Sequence, residues 1–344
     1  MTPPVINGRP WQRPGLAFAL AVVLAATTTA ADFPHDLYIC VGMTKDFVVT
    51  TGKVQEVSGI YRSADRGTIE HVGFNHPRQD SLAADPRDPA RFYTVGLNGV
   101  LGTSDGGRTW RILTSWDMTE PKDIAIDPHA PDHLYISLPD GVGVSLDRGR
   151  TWRHMDDGIR RKYTRSILVD RSQQGRLVAG TELGIYLSED GAKTWKLMQK
   201  SDATFTDVEQ SPHDLRRFVA VTQGNGVWES TDGARSWRRI AAVGAEHTLY
   251  NIQFDSTNPA RLALCGWGCG VLISEDGGLT WAPRNAGLPN ANICRVGIDP
   301  DISGRLYASP YQEAVYVSDD FGRTWRRGWF EASLVWNFVF VLRR

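Results

Sequence analysis

Ser274-Glu275-Asp276-Gly277-Gly278-Leu279-Thr280-Trp281 decides the fold, because the same octet returns along most of the chain. It recurs at Thr103–Trp110, Ser145–Trp152, Ser188–Trp195, Ser230–Trp237 and Ser318–Trp325. A worn copy starts at Ser63 and lacks the Trp. The seven starts lie 40, 42, 43, 42, 44 and 44 residues apart. Each residue type has a reason to be there. The Asp can accept hydrogen bonds from backbone N–H groups of a turn, and the Ser or Thr can close another local bond. Gly supplies the positive φ that a tight hairpin needs. The Trp starts the next strand as a large apolar wedge. In the fourth and fifth copies Ala192 and Ala234 replace the usual Gly, which predicts a turn shifted onto Gly191 and Gly233.

A period near 43 residues with one hairpin signal per repeat fits a β-propeller of four-stranded blades. The expected fold is therefore all-β: seven antiparallel blades, each with strands A to D and the octet as the C–D turn. In the third repeat the alternating runs place A from Asp123, B from His133, C from Gly143 and D from Thr151. An Asp-Pro pair after strand A turns the chain. The first blade has a B strand at residues 36–42 and nothing before it to serve as A. The chain end, from Asn337 to Leu342, has the A-strand pattern and no B strand after it. We expect this last strand to close the ring as strand A of blade one, which removes open sheet edges. The competing reading is an apolar tail packed elsewhere.

The remaining composition bounds the setting. The chain has 344 residues, 41% hydrophobic, with 34 Gly and 12 Trp. Residues 1–31 read as a secretory signal: Arg9 and Arg13, an apolar run from Leu16 to Ala26, then small residues before Asp32. That run is too short to span a bilayer, so a membrane anchor is the weaker reading. The expected domains are a signal at 1–31 and one propeller at 32–344, in a secreted or periplasmic protein. Without residues 1–31, 36 basic side chains face 39 acidic ones, a net charge near −3. No basic surface for nucleic acid is indicated, and no membrane contact after signal removal.

The octets resemble the Asp-box, or bacterial neuraminidase, repeats of sialidases, sortilin-type receptors, xyloglucan hydrolases and a photosystem II assembly factor. The resemblance runs from residue 36 to 344. The fuller pattern, Asp-Pro, Leu-Tyr, Gly-Val and then the octet, is most similar to the xyloglucan-hydrolase and sortilin style. The resemblance implies a propeller whose ligands bind on the face opposite the boxes, on the D–A and B–C loops around the channel. Sialidases also carry a Phe/Tyr-Arg-Ile-Pro motif. Only Tyr61-Arg62-Ser63 approaches it here, which argues against a working sialidase. Xyloglucan hydrolases place a cleft between two propellers, and this chain has one.

Aligning the seven A strands gives a polar first position: Ser81, Asp123, Ser166, Asp207, Asn251, Arg295 and Asn337. The second is apolar throughout: Leu82, Ile124, Ile167, Val208, Ile252, Val296 and Phe338. The third holds Ala83, Ala125, Leu168, Glu209, Gln253, Gly297 and Val339. Period-two geometry predicts that first and third positions face the channel. Asp123, Asp207 and Glu209 are the candidate catalytic acids and bases. Arg295 is a candidate for a carboxylate, a phosphate or a developing negative charge. Asn251, Asn337, Lys122, Arg165, Tyr250, Trp267 and Tyr311 complete the candidate ligand-binding set. Trp116, Tyr163 and Trp336 extend a possible stacking platform for sugar rings, with ordinary packing between blades as the alternative. The long B–C insertion of blade one, residues 41–58, carries Lys45, Asp46 and Lys53. Four cysteines, Cys40, Cys265, Cys269 and Cys294, suggest disulfides in an exported chain. Cys265–Cys269 across the hairpin is the preferred bridge, other pairings remain open, and a soft-metal cluster is the alternative. No cofactor and no metal are expected. The functional expectation is binding of a glycan or another extracellular polymer at the channel mouth. The alternatives are a glycoside hydrolase or lyase and a protein-docking assembly factor.

Overall fold

Each octet folds as a hairpin held by its own side chains. In the second copy Thr103 Oγ1 donates to Asp105 Oδ1 (2.8 Å) and accepts from Gly107 N (3.0 Å). Asp105 then takes Thr109 N on Oδ1 (2.9 Å) and Thr109 Oγ1 on Oδ2 (2.7 Å). The same four bonds recur in the Ser188 and Ser274 copies. These bonds, the Thr hydroxyl foremost, pull the carboxyls of Asp105, Asp147, Asp276 and Asp320 down to a pKa of about 2. The turn does not shift in blades four and five. Ala192 and Ala234 themselves take positive φ (71° and 64°), each with its N–H bound to the opening Ser Oγ.

The computed structural model describes residues 33–43 and 58–343. The proposed signal segment 1–31 and most of the 41–58 insertion, with Lys45, Asp46 and Lys53, lie outside the described residues. Seven four-stranded antiparallel sheets are present, with strands in the order A-B-C-D. In blade three they are Asp123–Ile126, Leu134–Leu138, Gly141–Ser145 and Arg153–His154. Because neighbours are antiparallel, the A–B turns share one face of the ring with the Asp boxes, and the B–C and D–A loops share the other. The second-position residues of strand A are all buried, none more than 5% exposed. They pack on the preceding blade: Ile124 sits with Tyr93 and Val95 of blade two, and Ile167 with Tyr135 and Val144 of blade three.

The ring closes as expected. Ser333–Leu342 pairs antiparallel with His35–Met43, from His35 opposite Leu342 to Met43 opposite Ser333. Blade one is thus a composite of both chain ends. Its worn box has a task the others lack. Arg66, at positive φ (61°) where the other copies carry Gly, Arg or Phe, reaches into blade seven. It donates from Nε to Asp299 (2.7 Å), from Nη2 to Asp301 (3.1 Å) and from Nη1 to the His35 carbonyl (2.9 Å). Tyr307 Oη adds a bond to Asp299 (3.0 Å), and His35 Nδ1 lies 2.7 Å from Asp301. Arg66 and Asp299 are buried, so each charge depends on the other and on these further bonds. A chain ending at residue 332 leaves the His35–Met43 edge unpaired. We expect it to lose its cooperative thermal transition and to aggregate on size-exclusion chromatography; an unchanged monomer and melt contradict the closure.

Candidate functional site

Strand A starts irregularly in almost every blade. Its pairing with strand B jumps by one residue between Gln79 and Ser81, Thr164 and Ser166, Phe205 and Asp207, Leu249 and Asn251, and Ile293 and Arg295. In blade one the jump falls between Asn337 and Val335. Each jump is a β-bulge, which bends the strand and re-aims the next side chain. The first-position residues follow these bulges.

Their side chains do not simply line a lumen. Strand A is the inner edge of a sheet whose two faces look at neighbouring blades, and the first position points at the following blade. There it meets backbone N–H groups that no further strand pairs. Asp123 accepts Ile124 N on Oδ1 (2.9 Å) and Ile167 N of blade four on Oδ2 (3.1 Å). Asp207 does the same for Val208 N (3.1 Å) and Ile252 N of blade six (3.2 Å). Asn251 accepts Val296 N of blade seven (3.0 Å) and donates to the Val296 carbonyl (2.8 Å). Arg295 donates twice to Asn337 Oδ1 (3.2 and 3.0 Å), and Asn337 donates to Ser81 Oγ (3.3 Å). The first position is therefore a belt of inter-blade stitches. Ser166 is too short for the task, and its buried Oγ has no partner among the described residues. Of the first positions, Asp123, Asp207, Arg295 and Asn337 reach the channel cavity, with Asp123 and Arg295 partly exposed; Ser81, Ser166 and Asn251 do not line it, and the third position is partly exposed in every blade except at Gly297.

Asp123, Asp207, Glu209, Arg295 and Asn337 line one cavity of about 530 Å³. His35, Ser256 and Pro300, at the A–B end of the strands, line it too, with Phe254 and Phe340. This cavity therefore runs toward the face that carries the Asp boxes, not toward the opposite face where the family resemblance placed the ligand. Burial dominates its acids. It pushes Asp207 up to about 6 and Glu209 up to about 8, with Asp123 also raised; the neighbouring carboxylates add to the effect on Asp207 and Glu209, and Arg295 opposes it on all three.

The other candidates separate from this cluster. Asn251 is fully buried in its stitch. Lys122 is buried, its Nζ 3.3 Å from Glu120, and its carbonyl accepts from Arg165 (3.3 Å). Tyr250 packs half-buried beside the core between blades six and seven. Trp267 and Tyr311 sit on the B–C loops of those blades, 42% and 38% exposed, edge to face with centroids 5.1 Å apart. Trp116, on a D–A loop of the same face, is 95% exposed. Trp336 is instead half-buried under the Arg78 guanidinium (4.7 Å). The preferred Cys265–Cys269 bridge is not formed, and all four cysteines are free. Cys265 belongs to the core facing blade seven and Cys269 to the core facing blade five, so the two thiols lie on opposite faces of one sheet. Sequence reasoning missed the Phe254, Phe340 and His35 walls; their common place at the A–B end of the strands was the available signal.

Fold and repeat together define an Asp-box, BNR-type β-propeller. A family model described as "BNR/Asp-box repeat" matches residues 316–327. Comparison with curated protein sequences gives no match. Among solved structures the chain is similar to the GH74 xyloglucanase from Xanthomonas campestris, with TM-score 0.64 and 17% identity over 79% of this chain and 51% of that one. It thus spans about half that enzyme's length. It is also similar to YCF48 bound to D1 peptide, with TM-score 0.55 and 20% identity over 72% of this chain and 81% of that one. YCF48 from Cyanidioschyzon merolae aligns at TM-score 0.55 and 19% identity, over 73% and 84%. At these identities the likeness is one of fold.

The raised acids give a signed pH dependence. A carboxyl that holds its proton to higher pH when folded makes stability fall as pH rises from its unfolded to its folded pKa. For Glu209 that window runs from the ordinary 4.5 to about 8. We expect the melting temperature to fall from pH 5 to pH 8 and Glu209→Gln to flatten the upper half of the slope, read by calorimetry. Parallel slopes in both proteins contradict the placement of Glu209.

Proposed function

We propose that the protein is a secreted or periplasmic ligand-binding propeller that takes a glycan on the face formed by its D–A and B–C loops. The observation that carries this reading is the set of outward aromatic rings there. Trp116 stands almost fully in solvent, and Trp267 and Tyr311 form an exposed edge-to-face pair. Flat sugar faces stack on such exposed rings, and the adjacent Trp267–Tyr311 pair offers a ready platform. The signal-like residues 1–31 support an exported setting.

A hydrolase is the second class suggested by the likeness to xyloglucanase. The belt weighs against it, since Asp123 and Asp207 each hold two backbone N–H groups and are poor choices for proton transfer. Docking of a protein segment is the third class, suggested by the peptide-bound YCF48 relative.

The test is a glycan array with a parallel turnover assay on wild type, Trp116→Ala and Trp267→Ala/Tyr311→Ala. At about 0.5–1.5 kcal/mol per aromatic contact, each variant is expected to weaken glycan binding by about two- to tenfold without turnover. Absence of glycan binding, or binding unchanged in all variants, contradicts the reading. Turnover moves the protein to the hydrolase class.

A further inference from the structure

Glu209 stands alone in its ring. The third positions of the other six A strands are Ala83, Ala125, Leu168, Gln253, Gly297 and Val339, none of them charged. The stitching between blades is done mainly one step away, at the first position, and Glu209 takes no part in it. Among the described residues its carboxyl has no hydrogen bond and no ion pair. Its carboxyl therefore faces open space rather than a partner in the fold. Here the side chain is half-buried against an open space of about 530 Å³.

We propose that Glu209 and the wall around it form a second binding site, for a small organic cation bearing an ammonium or guanidinium group, entered from the Asp-box face of the channel. This site is separate from the aromatic face of the proposed glycan reading and does not depend on it. The sign of the ligand follows from the lining. Asp123, Asp207 and Glu209 outnumber Arg295, whose Nε and Nη2 are already committed to Asn337. Arg171 also acts on Glu209 but is engaged with Gln210. An anion would meet three carboxyls. A metal ion needs several converging oxygens, and the oxygens of Asp123 and Asp207 already accept backbone N–H groups. An alkyl chain suits the rest of the wall, where Phe254, Phe340, Val339 and Leu168 leave apolar surface. Entry is set by Ser256, Pro300 and His35, which lie at the A–B end of the strands.

Burial pushes the free Glu209 carboxyl up to about 8, with Asp207 adding to the rise and Arg171, then Arg295, opposing it. A bound cation favours the ionised form, so binding displaces the Glu209 proton and strengthens as pH rises through that value. The test is isothermal titration of the propeller with agmatine and with putrescine, at pH 6.5 and 8.5, and with 1,4-butanediol as the neutral control. We expect one saturable agmatine or putrescine site at pH 8.5, weaker by about tenfold at pH 6.5, and no butanediol site. Glu209→Gln keeps shape and removes charge; it should lose the amine site while staying folded, with a melting temperature at pH 6.5 at or above that of wild type, and retaining any glycan binding. Trp267→Ala/Tyr311→Ala should keep the amine site. Failure of both amines to saturate at pH 8.5, or equal binding by folded Glu209→Gln, overturns the proposal and leaves the glycan reading untouched.

Discussion

The inner edge of each blade presents backbone N–H groups that have no strand to pair with, and the structure depends on how they are answered. An orphaned buried donor costs about 1–3 kcal/mol, and a seven-bladed ring repeats the problem around its axis. Two aspartates and one asparagine answer it economically. Asp123 spans blades three and four, Asp207 spans five and six, and Asn251 binds blade seven from six. Each carboxylate holds its own blade with one oxygen and the next with the other. The bulge before the first position aims these side chains at the neighbouring blade. Burial of the charges raises their protonation, so the belt has an electrostatic cost that Arg295 reduces.

Closure at the rim follows a different logic. The Asp boxes are local devices, each satisfied within its own eight residues, and their aspartates stay acidic and partly to fully exposed at the rim. The worn box departs from this because it sits at the seam. Giving up a turn Gly for Arg66 loses backbone ease at that turn and gains a buried clamp onto Asp299 and Asp301. The composite blade one, in which the two chain ends pair, is thereby clamped onto blade seven by a buried ion pair.

The fold was legible because it is written in repetition. Seven boxes at nearly constant spacing fix blade number, and the one missing A strand at residue 36 and the one spare strand at 337 fix the closure. The apolar second position read directly as core, since period-two alternation suffices for that. The site was less legible. Alternation cannot tell a side chain that faces the lumen from one that bridges to the next blade, because both lie on the same side of the strand. The polar first position therefore looked like a binding mouth although most of it is a belt. Cys265 and Cys269 failed for a related reason: four residues apart in a hairpin, they fall on opposite sheet faces. The direction in which the cavity opens depends on Ser256, Pro300 and His35; the first two share the repeat position after the strand-A Asp, but that shared position does not show which way a cavity opens.

The central claim is that the first-position acids serve the backbone. Amide hydrogen exchange, followed residue by residue in wild type and in Asp207→Ala, tests it most directly. The account predicts slow exchange at Val208, Ile252 and Ile167 in the wild type. In Asp207→Ala, exchange should quicken at Val208 and Ile252 while Ile167, held by Asp123, stays slow. Rapid exchange at these amides in the wild type, or no change at Val208 and Ile252 in the variant, would contradict it.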